Sequence, residues 1–229
     1  AIDSSAGPAS AAVVEDGVLL GESYVNTRQT HSQTLLPMVE QLLAALGKQV
    51  RDFQRLAVSA GPGSFTGVRI GVACLKGLAF PENLPCCGVS TLEAIAYGGL
   101  GSGASVLCAV MDARCGQVYN ALFRQEGGEL VRLTEDRALS IRELEQECES
   151  FGSGLLLLGD GAALCHKTFS LWGARLAPPA TRFQRASSVA FLASREACPT
   201  VAPQELVPAY LRLPQAEREL KQRLSQGGS

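Results

Sequence analysis

Val58-Ser59-Ala60-Gly61-Pro62-Gly63-Ser64-Phe65-Thr66-Gly67-Val68-Arg69-Ile70-Gly71 is the stretch that decides how this chain folds. Residues 55–60 form an apolar run that stops at Gly-Pro-Gly, the pattern of a short buried strand ending in a tight turn. Ser64 is placed to cap a helix, its hydroxyl accepting from a backbone N–H that the first turn leaves unpaired. The helix, expected over 64–80, brings Gly63, Gly67 and Gly71 onto one face with Leu75 and Ala79. A glycine inside a helix costs about 0.8–1 kcal/mol relative to alanine. The stripe therefore needs a reason, and close approach of another backbone supplies one. It reads as a helix–helix contact, within the chain or between chains.

A strand, a glycine-rich turn and a helix can also hold phosphate on exposed N–H groups. The dinucleotide fingerprint fails here, because after Gly61-Pro62-Gly63 its last glycine falls on Thr66. A P-loop would need Gly-Lys-Ser/Thr, and a nucleophile elbow would need glycine in place of Pro62. The plain alternative is a tight turn followed by a packing helix.

At 229 residues the chain can hold one large domain or two small ones. It is 46% hydrophobic and 18% charged, a globular composition. A net charge of −2 and a pI near 5.8 give no footprint for tight independent nucleic-acid binding, so any basic surface must come from a partner. No run of 18 apolar residues occurs, so no membrane span is expected. The chain opens inside an apparent strand without an initiator Met, and residues are expected to be missing ahead of Ala1. Eight cysteines, none in Cys-x-x-Cys, read as buried free thiols in a reducing cytoplasm. His31 and His166, the two histidines, cannot form a His-x-x-x-His metal site.

In order, strands are expected at 1–4, 11–14 and 18–25, with Glu15-Asp16-Gly17 as a hairpin turn. An amphipathic helix follows over 31–46, with Leu35, Leu36, Val39, Leu42, Leu43 and Leu46 at helical spacing and Gly47 at its end. Pro37 predicts an irregular first turn. After the organising strand and helix come a strand at 85–89 and a capping box, Ser90-Thr91-Leu92-Glu93. The order then restarts: strands at 105–111, 117–124 and 129–133, a capped helix from Ser140 to about Glu149, a strand at 155–158 and helices at 163–171 and 187–197. Both halves read βββαβα, which predicts an α/β, actin-like (ASKHA) architecture of two duplicated ribonuclease-H-like lobes. The expected domains are 1–100, 101–213 and a charged tail at 214–229.

Several segments resemble the bacterial TsaB (YeaZ) family. They are Ala1-Ile2-Asp3-Ser4-Ser5, Arg28-x-x-His31-Ser32-x-x-Leu35-Leu36-Pro37, the Gly61–Gly71 segment, Lys76-Gly77-Leu78-Ala79, Val89-Ser90-Thr91-Leu92-Glu93, Asp112-Ala113-Arg114-x-Gly116-x-Val118-Tyr119 and Tyr210-Leu211-Arg212. The resemblance implies a cytoplasmic, non-catalytic subunit that activates TsaD, the enzyme that transfers threonylcarbamoyl to the adenosine beside the anticodon of tRNAs reading codons that begin with A. It further implies TsaE, an ATPase, as a partner, homodimer formation when alone, and contact with tRNA only through the complex. TsaD holds its metal through paired histidines on the helix matching 31–46. Here Leu35 stands four residues after His31, so no metal and no catalytic residue are expected. The family has also been grouped with glycoprotease-like peptidases, yet no nucleophile–base pair is evident.

The expected partner interface lies on the two first-lobe helices: His31, Leu35, Val39, Gly63, Phe65, Gly67, Val68, Gly71 and Leu75. On this reading Gly67→Arg or Gly71→Trp would abolish association and leave the fold intact. Asp3, Ser4 and Ser5 sit where actin-like ATPases place a phosphate loop, and Gly159, Asp160 and Gly161 resemble their adenosine turn. No cofactor is required, ATP or ADP binding is a candidate property, and an actin-like phosphotransferase using Asp3 or Asp160 is the alternative function. The plain roles beside these are His31 as a helix-start residue, Arg114 ion-paired to Asp112, and residues 217–223 as a solvated helix or frayed end.

Overall fold

The structure, a computed structural model, describes residues 1–27 and 29–212; the expected 214–229 tail and Arg28 lie outside the described residues. The first sheet runs in the order β3(Val18–Val25), β2(Ala9–Glu15), β1(Ile2–Asp3), β4(Leu56–Gly61), β5(Cys86–Ser90). β1 pairs antiparallel with β2 and parallel with β4, which itself pairs parallel with β5. The second sheet repeats this order with β8(Glu129–Arg132), β7(Gln117–Glu126), β6(Val106–Asp112), β10(Leu155–Leu158) and β11(Arg175–Leu176). A short β9(Arg137–Ser140) also pairs with β7. The duplication read from element order is therefore matched strand for strand in the two sheets, and the α/β actin-like architecture holds.

Helices α1(His31–Leu46) and α2(Phe65–Ala79) cover one face of the first sheet, packing Leu35, Met38, Val68, Val72 and Leu75 on Ile2, Ala11 and Val58. Alternation along β4 sends Leu56 and Val58 to that face and Ala57 to the other. In the second lobe α4(Ile141–Cys148) and α5(Ala162–Phe169) take the equivalent place over Val106, Cys108, Leu155 and Leu157. The remaining faces are covered by exchange. α3(Thr91–Tyr97) follows β5 but lays Leu92, Ile95 and Ala96 on Leu107, Ala109 and Phe123 of the second sheet. α7(Ala186–Ala193), reached through α6(Pro179–Arg182), lays Val189, Leu192 and Ala193 on Ala57 and Val89 of the first.

The two sheets divide in sequence between Ser90 and Val106, and the exchanged helices cross that division in both directions. The end of the chain also returns to the first lobe: Val201 bridges Cys86, Lys76 Nζ donates to the carbonyls of Gln204 and Leu206, and Ala209 N donates to Ala60 O at 2.7 Å. Glu22 on β3 fixes the crossing helix, accepting from Ser187 N and Oγ and from Arg185 Nη1.

Two local expectations also change. α1 is regular from His31, with Pro37 on its exposed side. The last long helix ends at Ala193 rather than 197. The eight cysteines are free, but only five are buried; Cys115 is exposed and Cys74 and Cys198 are half-buried. No helix among the described residues is long and apolar enough to cross a membrane.

Candidate functional site

Ser64 caps α2 as its position dictates, its Oγ accepting from Gly67 N at 3.3 Å. The glycine stripe, however, faces inward. A methyl on Gly63 would overlap the carbonyl of Ser5, one on Gly67 the carbonyl of Ser4, and one on Gly71 the hydroxyl of Ser4. Ser4 Oγ donates to Gly67 O at 2.9 Å, and Ser64 N donates to Ser5 O at 2.7 Å. The backbone that the stripe admits is thus the loop after β1. The subunit-boundary reading of Gly67 and Gly71 is corrected: both are buried, and Gly67→Arg or Gly71→Trp would collide with the chain's own core.

Burial sorts the rest of the expected interface. Leu35, Val39, Val68 and Leu75 are buried in the first-lobe core and support the helices from behind. Phe65 is half-covered, with the Arg69 guanidinium 4.0 Å from its ring centre and the Tyr210 ring at 4.9 Å. His31 is half-buried, its Nε2 2.6 Å from Ala6 O, so it ties the start of α1 to the β1–β2 loop. The outward surface of the paired helices consists of other residues: Leu36, Pro37, Glu40 and Ala44 on α1, and Thr66, Arg69, Ala73 and Gly77 on α2. The apolar period points at the core and is silent about this side; the small residues Ala44, Ala73 and Gly77 at exposed positions are the sequence signal for it.

Between the lobes lies a cleft of about 490 Å³, bounded by Ser5, Gly63 and Phe65 on one side and Asp112, Arg114 and Asp160 on the other. Tyr210 and Arg212 cross its mouth: Arg69 Nε donates to Tyr210 Oη at 2.8 Å, and Arg212 Nη1 donates to Ala113 O at 3.4 Å. Neither Tyr210 nor Arg212 was singled out for such a position by its sequence context. Asp3 does not face the cleft as a free carboxylate. Its Oδ1 accepts from Ser5 N (2.9 Å) and Ser5 Oγ (2.8 Å), and its Oδ2 accepts from Ser59 Oγ. Burial raises its pKa against the pull of those bonds.

Gly159 and Gly161 let the turn after β10 press on Val110 and Met111 of β6; a methyl on Gly159, at φ +100°, would overlap Val110 O. Asp160 between them has an Oδ1 that is buried without a hydrogen-bond partner. Burial, aided by the charge of Asp112, raises its pKa to about 6. Arg114 pairs with Asp112 as expected, Nη1 to Oδ2 at 3.1 Å, and stands at φ +67° in the β6–β7 turn.

A metal of the kind that TsaD carries does not fit these residues. Leu35, which the resemblance sets against a histidine, is 1% exposed in the first-lobe core, and His31 is engaged with Ala6. Among the described residues no three His, Cys, Asp or Glu side chains converge.

A family model described as TsaD, tRNA N6-adenosine threonylcarbamoyltransferase, matches residues 25–218. The chain is 31% identical over 221 residues to the tRNA threonylcarbamoyladenosine biosynthesis protein TsaB of Bacillus subtilis, covering 95% of each. It is 38% identical over 148 residues to the TsaB protein of Escherichia coli, covering 64% of each. The solved structure of YeaZ from Pseudomonas aeruginosa superimposes with a TM-score of 0.77 at 27% identity, covering 92% of this chain and 97% of that one.

Proposed function

This chain belongs to the TsaB (YeaZ) family of tRNA threonylcarbamoyladenosine biosynthesis proteins, and on that premise we propose that it is a non-catalytic subunit that binds and activates TsaD. The observation that carries the reading is Leu35. On the resemblance, residue 35 is where TsaD has a metal-binding histidine; a buried leucine there supports a subunit that keeps the scaffold without the metal chemistry. Its partner surface is the outward side of α1 and α2, centred on Leu36, Ala44, Ala73 and Gly77, where small side chains admit a facing helix closely. The same surface serves a second copy of this chain when TsaD is absent. TsaE completes the assembly, tRNA is engaged through the complex, and threonylcarbamoyl reaches the adenosine beside the anticodon of tRNAs reading codons that begin with A.

The phosphotransferase alternative is less well supported. Asp3 is buried and its carboxylate already accepts three hydrogen bonds from Ser5 and Ser59, which leaves a single Oδ2 lone pair for a phosphate-bound cation. No nucleotide is required of this chain on the reading adopted.

The test is reconstitution of tRNA modification from TsaD, TsaE, tRNA and threonylcarbamoyl-adenylate, with and without this chain. Modification that stalls without it and recovers on its addition supports the reading; equal rates in both reactions overturn it. Calorimetry of the isolated chain with ATP and magnesium decides the alternative, which requires micromolar binding with turnover.

A further inference from the structure

Resting on the reading of TsaD as the partner, we propose that Arg69 receives a carboxylate side chain of TsaD, and that the docking surface runs from α2 onto the returning segment at Tyr210. Arg69 is exposed on the outward side of α2, one turn after Phe65. Its guanidinium is held from two directions. It lies 4.0 Å from the centre of the Phe65 ring and 5.8 Å from that of Tyr210, and its Nε donates to Tyr210 Oη at 2.8 Å. Tyr210 packs on Phe65 in turn, with ring centres 4.9 Å apart. The segment carrying Tyr210 is itself anchored to both lobes: Ala209 N donates to Ala60 O at 2.7 Å, and Arg212 Nη1 donates to Ala113 O at 3.4 Å.

The arrangement lacks an anion. Three other arginines among the described residues lie over aromatic rings, and each is also ion-paired within the chain. Arg132 lies over Phe123 with Glu93 and Asp136, Arg185 over Tyr24 with Glu22, and Arg195 over Tyr97 with Glu129. Arg69 has two rings and a hydroxyl, but no carboxylate among the described residues. Its Nε is taken by Tyr210, so the two Nη atoms are the part of the fork left to grip both oxygens of a carboxylate. A guanidinium already fixed against rings loses little further freedom on pairing. Arginine and tyrosine ringed by apolar surface are also the residue types that carry most of the energy of an interface. Glu40 shares the outward side, and the net charge of −2 supplies no surrounding cationic patch, which favours a protein carboxylate over an RNA phosphate.

Titration calorimetry of the full chain with TsaD, at about 50 and about 500 mM salt, tests this pairing. Arg69→Met is expected to weaken binding about thirtyfold at the lower salt and to flatten the salt dependence. Its melting temperature should stay near that of the wild type, since the position is exposed. Arg69→Lys keeps the charge without the fork or the flat face and should recover only a small part of the affinity. Tyr210→Phe keeps the ring, removes the hydroxyl that holds Nε, and should weaken binding about threefold. Wild-type affinity in Arg69→Met, or the same salt dependence in both chains, overturns the proposal. If Ala73→Glu still fails to bind in that case, the helix surface stands and only the Arg69 contact falls. Absence of binding by the wild-type chain overturns the reading of TsaD as partner itself. Loss of tRNA affinity in the assembled complex, with affinity for TsaD spared, would assign Arg69 to a phosphate and overturn the carboxylate.

Discussion

A methyl group on Gly67 would overlap the carbonyl oxygen of Ser4. That relationship makes the α2 stripe an internal seam between the organising helix and the loop after β1. Gly67→Ala is therefore expected to destabilise the chain by roughly 1–3 kcal/mol, outweighing the ~1 kcal/mol that alanine gains in a helix. Gly77 lies in the same helix with nothing within 4 Å of an added Cβ. Gly77→Ala is expected to stabilise by roughly 0.5–1 kcal/mol. Urea denaturation of both variants checks the pair, and a shared sign would contradict this placement of the stripe.

The same seam separates folding from association. Ala73 is exposed on the outward side of α2, whereas Val68 is buried beneath it. Ala73→Glu should leave stability within ~0.5 kcal/mol and weaken binding to TsaD by at least about tenfold, since a buried unpaired carboxylate is costly at an interface. Val68→Ala should do the reverse, lowering the melting temperature and sparing affinity in the folded fraction. Titration calorimetry beside thermal melts reads both. Wild-type affinity in Ala73→Glu would move the partner surface elsewhere on the molecule.

Much of the scaffold is legible in the sequence, and the reasons are local. Ser64 and Ser140 cap helices because their hydroxyls accept from Gly67 N and Glu143 N, a pattern written within four residues. α1 follows from the 3.6-residue period that puts Leu35 and Val39 on one side. What was not legible depends on distance along the chain. Nothing near Glu22 announces Ser187 as its partner, so the exchange of α3 and α7 between lobes stayed hidden. The two-residue β11 is too short to alternate. The glycine stripe reads in the sequence as a close contact with a second helix, whereas the backbone it meets belongs to the loop after β1. Only the position of Ser4 and Ser5 decides that it is the chain's own.

Asp160 gives the stability a pH dependence with a definite sign. Its folded-state pKa of about 6 lies above the usual 3.8, so the folded chain holds that proton more tightly than the unfolded one. The contribution of this group to stability is fully present below about pH 4 and is lost as the pH rises through about 6. Asp160→Asn removes the buried charge and should stabilise the chain by roughly 2–3 kcal/mol at pH 7.5. That advantage should vanish near pH 4, where the wild-type carboxyl is already neutral. Denaturation midpoints at the two pH values check it. An equal effect at both would mean that hydrogen bonding of the new amide, and not the charge, is responsible.

The exchange between lobes predicts where the chain is most sensitive to losing one carboxylate. Glu22, with 11% of its side chain exposed, accepts from Ser187 N at 3.1 Å, Ser187 Oγ at 2.8 Å and Arg185 Nη1 at 2.8 Å. Ser10 Oγ beside it accepts from Ala186 N at 2.8 Å, so the start of α7 is held to two strands of the first sheet. Glu22→Ala leaves an amide, a hydroxyl and a guanidinium without their acceptor and is expected to cost roughly 2–4 kcal/mol. Lys48–Glu15 is a surface pair on the same lobe, with Glu15 half exposed; Glu15→Ala should change stability by less than ~1 kcal/mol. If α7 is what locks the returning chain to the first lobe, Glu22→Ala should also speed proteolysis after Arg185 and Arg195 well before global unfolding, a local opening that Glu15→Ala does not produce. Equal proteolysis in the two variants would place the lock between the lobes at the α3 side instead, on Arg132 with Glu93 and Asp136.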